Sequence, residues 1–155
     1  GWLLLATGNK SEAAVGYCTL YGDTNGAISV IKDVYKTRVY ELARWRNSQG
    51  EPVFSDSVLE KPPSAELRPG QRDDQSLPPY DVLDPILAGY VDFDRTVEDL
   101  LELGHDPKIV RDIARLVDIN EFKRRQVPFG LRVTPKAFGR DRRMPITNRY
   151  REVRW

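Results

Sequence analysis

The chain has one cysteine, one histidine and one methionine in 155 residues, and each scarcity closes off a class of chemistry. A lone Cys18 excludes an internal disulfide framework and fits a reducing compartment. With His105 as the sole imidazole, no Cys–His pair can be argued, and His105 itself has no metal-ligand partner. No apolar stretch approaches the ~18 residues of a membrane span, and Leu3 to Ala6 is too short for a signal-peptide core. The expected compartment is therefore the cytoplasm, with no membrane partner. An initiator Met is also missing: the chain opens with Gly1-Trp2 directly on a strand and reads as part of something longer.

What is present is ordinary for a globular domain, at 40% hydrophobic and 30% charged. The net charge of +1 hides an uneven distribution, because residues 123 to 154 hold eleven Lys or Arg against only Asp141 and Glu152. A basic segment of this kind can bind nucleic acid or other phosphates, although like-charge blocks are more often solvated tails. Its aromatics, Phe129, Phe138, Tyr150 and Trp155, are too scattered for a stacking platform, so nucleic acid is an unlikely partner.

The opening residues carry more information. Leu3 to Ala6 suits a strand covered on both faces, and Gly8 permits the tight turn that follows. A helix then starts with Asn9 as N-cap and Glu12 completing a capping-box pattern. Thr7, Asn9, Ser11 and Glu12 thus sit at a strand–helix junction, where ligands of open α/β sheets bind. Glu12 has two readings at this point, a helix cap or a metal or substrate ligand.

Periodicity carries the first helix from Ser11 to Tyr21, with Ala14, Val15, Cys18 and Tyr21 on one face and Cys18 expected as a small buried thiol. Ala27 to Ile31 reads as a second strand, and Thr37 as the cap of a helix through Trp45, with Lys36 just before it. Residues 1–46 form the strand and helix core. Residues 47–79 hold six prolines and two glycines and are expected to be a flexible flap facing phosphate, with Lys61 to Gln71 as its central stretch. Residues 80–125 read as helices: Asp81 to Tyr90, Arg95 to Leu103, and a long one from Asp106 to Arg124 capped by Asp106-Pro107. Asp92, Asp94, Glu98, Asp99 and Glu102 are expected on a solvated face, and residues 126–155 form the basic tail.

Several ordered blocks resemble one family. They are Leu-Leu-Leu-Ala-Thr-Gly-Asn-Lys-Ser-Glu (3–12), Gly-Tyr-Cys-Thr-Leu-Tyr-Gly-Asp (16–23), Lys-Thr-Arg-Val-Tyr-Glu-Leu-Ala-Arg-Trp (36–45), Lys-Pro-Pro-Ser-Ala-Glu-Leu-Arg-Pro-Gly-Gln (61–71), Leu-Pro-Pro-Tyr-Asp-Val-Leu-Asp (77–84) and Asn-Glu-Phe-Lys-Arg-Arg-Gln (120–126). In order and spacing they are similar to the C-terminal part of NAD synthetase. Leu20 and Ala27, with Lys136-Ala137-Phe138-Gly139-Arg140 in the tail, look like the glutamine-dependent branch; simple ammonia-dependent members carry Lys, Asp and, at Phe122, His.

The resemblance implies an α/β fold, a partial Rossmann-like (ATP-pyrophosphatase) parallel sheet with flanking helices. It implies an amide ligase that uses ATP and Mg²⁺ to adenylate deamido-NAD, after which ammonia derived from glutamine displaces AMP to give NAD. By that similarity Thr7, Lys36 and Ser64 would meet ATP, Glu12 would hold Mg²⁺ or deamido-NAD, and Lys123 would approach deamido-NAD. No covalent protein nucleophile is implied. The family's Ser-Gly-Gly-x-Asp-Ser phosphate loop and the glutaminase Cys-Glu-Lys set have no counterpart in these residues. The chain is therefore expected to work with an N-terminal remainder of the same polypeptide, as a homo-oligomer, and to be inactive or nearly so alone. The alternative from another class is a stand-alone module gripping nucleic acid or an acidic partner through its basic tail.

Overall fold

A computed structural model describes residues 1–64, 70 and 72–147. Strand β1 (Leu5–Ala6) lies parallel to β2 (Ile28–Ser29), with Leu5 opposite Ile28 and Ala6 opposite Ser29. Between them runs α1 (Lys10–Val15), so the unit is a short βαβ crossover. The tail extends the sheet: Phe129 bridges Ile28 in parallel, and Ser29 N–H donates to Phe129 O at 2.8 Å. Leu3, Leu4 and Leu5 are 61%, 62% and 50% exposed, so among the described residues the strand is not covered on both faces as its composition predicts.

The remaining elements are α2 (Lys36–Ser48), α3 (Asp56–Glu60), a 3₁₀ turn at Asp73–Gln75, α4 (Tyr80–Leu87) with a π-helical extension over Ala88–Asp92, α5 (Val97–Glu102), α6 (Pro107–Ile119) and α7 (Glu121–Arg124). The helices pack on one another, with α1 against α4, α6 and α7. Leu83, Ile86, Leu87, Val110, Ile113 and Val117 fill the core between α4 and α6. The predicted flap region thus contains α3, and residues 65–69 and 71 of its Lys61 to Gln71 block lie outside the described residues.

Two helices end earlier than their periodicity predicts. At Gly16 the chain turns left-handed (φ 70°), which stops α1 six residues after it starts. Apolar spacing continues through Cys18 and Tyr21, but those residues belong to the following loop, and Cys18 is half-buried. The long helix from Asp106 divides at Asn120. Asp106 caps α6 through bonds from the Lys108 and Ile109 N–H groups, both 2.9 Å. Asn120 then turns its amide onto Leu116 O (2.8 Å) and Val15 O (2.9 Å), joining the ends of α6 and α1. Thr37 is not a cap either. The helix begins one residue earlier, and the Thr37 N–H and hydroxyl both donate to Asp84 Oδ2.

Charged groups expected in solvent tie the layers together. Lys10 is fully buried, with Nζ 2.7 Å from Asp92 and 2.9 Å from Asp33, and it lies over the Tyr35 ring. Asp92 therefore does not belong to a solvated acidic face. The tail is anchored as well: Asp33 accepts the Val133 and Thr134 N–H groups, Lys136 and Arg142 pair with Asp94, and Phe138 is buried in the core. Residues 148–155, including Tyr150, Glu152, Arg154 and Trp155, lie outside the described residues.

Candidate functional site

An open cleft of about 580 Å³ lies beside α1, and its walls include Glu12, Lys36, Ser64, Lys123, Cys18 and Asp73. Four of the five side chains singled out from the sequence are therefore brought together. The fifth, Thr7, is exposed directly after β1 and does not line this cleft.

Local chemistry explains how Glu12 reaches the wall. As N3 of α1 it accepts the Asn9 N–H on Oε2 at 3.1 Å, while Asn9 Oδ1 accepts the Glu12 N–H at 3.0 Å. The other carboxylate oxygen accepts Lys36 Nζ at 3.1 Å, with both side chains about one-fifth exposed (20% and 19%). The cap reading of Glu12 is thus realised, and its other oxygen meets Lys36 on the cleft wall. Lys36 opens α2, where its backbone N–H donates to Ser11 Oγ at 2.9 Å and Ser11 Oγ donates to Asp84 at 2.5 Å. Burial pushes Asp84 up; donors from Ser11 and Thr37 oppose this without cancelling it. The starts of α1 and α2 are so held on one carboxylate from α4.

Lys123, also on the cleft wall, belongs to a carbonyl clamp. Helix ends leave carbonyls unsatisfied, and α1 delivers its own to α7 and the residue before it. Asn120 donates to Val15 O, Arg124 to Ala14 O at 2.7 Å, and Lys123 to Gly16 O at 2.7 Å and Cys18 O at 3.1 Å. Arg124 is thus bonded to the end of α1 and Lys123 to the turn that follows it. Burial lowers the Arg124 pKa, opposed by Glu121, and burial raises the Cys18 thiol, opposed by Lys123.

Sequence reasoning missed Asp73, which lines the cleft, and its partner Tyr80. Tyr80 OH donates to Asp73 Oδ2 at 2.7 Å, and Lys36 Nζ lies 5.6 Å from the Tyr80 ring centre. Burial first, then Asp73, pushes the Tyr80 hydroxyl well above its ordinary range, so it stays a donor. Neither residue carries a local signal, since Asp73 sits among polar and proline-rich neighbours.

A parallel βαβ unit with a charged cleft beside its crossover helix defines a partial Rossmann-like α/β domain. The NAD synthase family model matches residues 1–127, and the chain belongs to that family. It is 52% identical over 153 residues to the glutamine-dependent NAD(+) synthetase of Thermotoga maritima, covering 98% of this chain and 27% of the relative. It is 55% identical over 152 residues to the enzyme of the same name from Acinetobacter baylyi, covering 97% of this chain and 28% of the relative. A crystal structure of a glutamine-dependent NAD(+) synthetase from Cytophaga hutchinsonii superposes with a TM-score of 0.69 at 26% identity, over 95% of this chain and 24% of that one. The chain thus spans about a quarter of the length of the relatives it matches.

Proposed function

We propose that this chain is the C-terminal part of a glutamine-dependent NAD synthetase, which converts deamido-NAD to NAD with ATP, Mg²⁺ and ammonia derived from glutamine. In the first step a carboxylate oxygen of deamido-NAD attacks the α-phosphorus of ATP and pyrophosphate leaves. In the second, ammonia attacks the acyl carbon and AMP leaves. Charge develops on phosphate and at the acyl carbon, so what such a reaction asks of a protein is positioned cations and donors.

The observation that carries this reading is the Glu12–Lys36 pair in the same cleft as Ser64 and Lys123. Lys36 held at 3.1 Å on a carboxylate is a cation ready to exchange that partner for a phosphate oxygen. Ser64 offers a hydroxyl on the same wall, and Lys123 fixes the turn that deamido-NAD would lie against. Thr7, at the end of β1, would meet ATP from outside this wall. Glu12 fits a Mg²⁺ held by one protein carboxylate and by substrate phosphates, the mode a hard cation adopts beside nucleotides. No group of three His, Cys, Asp or Glu able to hold a metal occurs among the described residues. When bound, Mg²⁺ would neutralise phosphate charge.

No described helix is long and apolar enough to cross a membrane. We infer a cytoplasmic homo-oligomer, as the resembling branch implies. The decisive assay measures AMP and NAD formed from ATP, Mg²⁺, deamido-NAD and either glutamine or ammonium by the full-length protein. The 155-residue chain alone is expected to be inactive or nearly so. Salt-sensitive nucleic-acid binding without turnover would overturn the reading in favour of a binding module.

A further inference from the structure

Asp73 is buried to 5% exposure on the cleft wall, at the first position of the 3₁₀ turn. Its backbone N–H donates to Pro63 O at 2.9 Å, which keeps it beside the Ser64 segment. Its Oδ2 accepts the Tyr80 hydroxyl, but its Oδ1, equally buried, accepts no hydrogen bond. A buried carboxylate oxygen left without a donor is costly, and such atoms are rare unless a ligand or solvent completes them.

Among the described residues, the other charged side chains of the cleft differ from Asp73. Both Glu12 oxygens are engaged, by Asn9 and Lys36. Asp23 is exposed, and one of its oxygens accepts the Thr19 N–H at 2.6 Å. Lys123 is spent on two backbone carbonyls. Among the described residues, the cleft lining therefore holds one buried carboxylate with an oxygen that accepts no hydrogen bond, that of Asp73. The Tyr80 ring sits between this carboxylate and Lys36, touching one through its hydroxyl and the other through its face, so the acceptor and the cation are aimed by one side chain.

We propose that Asp73 is a substrate-binding residue whose Oδ1 receives a hydrogen-bond donor of the ligand in this cleft, an ammonium N–H or a ribose O–H. The proposal rests on the synthetase reading given above. It adds to that site an acceptor able to hold the nitrogen donor or to orient a nucleotide ribose.

The test uses the full-length protein with ammonium as nitrogen source, varying ammonium, ATP and deamido-NAD in turn for Asp73→Ala and Asp73→Asn. One KM is expected to rise roughly ten- to hundredfold in Asp73→Ala, the scale for losing a hydrogen bond to a charged acceptor. If the ligand donor is ammonium, that KM is the ammonium KM and Asp73→Asn is as impaired as Asp73→Ala, because the charge is gone in both. If the donor is a ribose hydroxyl, a nucleotide KM moves and Asp73→Asn is milder, because an amide oxygen still accepts. A lowered melting temperature with every KM unchanged would overturn the proposal and leave Asp73 a structural partner of Tyr80. Glu12→Gln, assayed in parallel, separates the two levels: if it too leaves turnover intact, the synthetase site itself is misplaced.

Discussion

Glu12 meets Lys36 at 3.1 Å through one carboxylate oxygen and caps its own helix through the other. At about one-fifth exposure the ion pair adds roughly 1 kcal/mol to stability, so the pair by itself does little to hold the fold. Glu12→Gln keeps an N3 side chain able to accept the Asn9 N–H and is expected to melt close to the wild type. Pyrophosphate release from ATP and deamido-NAD by the full-length protein should fall by about 10²-fold or more, the scale for losing a preorganised charge-stabilising group. Wild-type rates with a lowered melting temperature would return Glu12 to the role of a cap alone.

Gly16 and Asn120 meet where the first helix joins the last ones. A Cβ on Gly16 would lie 2.2 Å from Asn120 Cγ, in backbone that already has φ +70°. Gly16→Ala is therefore expected to cost about 2–5 kcal/mol from overpacking and left-handed strain together. Asn120→Ala should cost about 1–3 kcal/mol by orphaning Val15 O. The double variant should be less destabilised than the sum, because removing the amide deletes the two shortest contacts and leaves only Asn120 Cβ, 2.7 Å away. Urea unfolding of the three variants checks this, and strict additivity would show that the two residues do not share a contact.

What the sequence made legible was local. The Asn9–Glu12 capping box and the Asp106-Pro107 start of α6 use residues within three positions of each other, and both stand as read. Ends were harder. The apolar spacing ran through Gly16, where a left-handed glycine stops α1, and through Asn120, whose amide bonds both Leu116 O in its own helix and Val15 O, 105 positions away. The Lys10 cluster was invisible for the same reason, since Lys10 and Asp92 lie 82 positions apart and each resembles a surface charge in its own neighbourhood. The gathering of Glu12, Lys36, Ser64 and Lys123 came from family resemblance, because no spacing rule brings a helix cap, a helix start, a loop and a distant lysine to one cleft.

Lys123 holds the turn after α1 through Gly16 O and Cys18 O while facing the cleft. Lys123→Met keeps the apolar stem and deletes the donors, and it should lower stability by about 1.5–3 kcal/mol, the range for hydrogen bonds from a charged group. The turn it releases includes Cys18 on the cleft wall. The KM for deamido-NAD should rise with that loss while the KM for ammonium stays near wild type. Steady-state kinetics beside thermal melts decide it. A melting loss with an unchanged deamido-NAD KM would make Lys123 a clamp and nothing more.

Asp33 offers the sharpest pH test, because it holds Lys10 and the tail together. Burial pushes its carboxyl up, but the Thr134 and Val133 N–H groups, Lys10 and the Thr134 hydroxyl outweigh burial and bring it below its ordinary 3.8. In the unfolded chain the group takes its proton at the ordinary value, so below that value the unfolded state binds more protons than the folded one. The stability Asp33 contributes is complete above the unfolded value and is lost as pH falls toward the folded one. Asp33→Asn leaves Lys10 buried at 0% exposure with Asp92 as its remaining carboxylate. That change should cost about 3–5 kcal/mol at neutral pH, the scale for breaking a buried pair. The variant should also lose part of the acid-dependent slope that the wild type shows between about pH 5 and pH 2. Urea midpoints across that range measure both effects at once, and parallel acid slopes for variant and wild type would show that Asp33 is not held below its ordinary value in the folded protein.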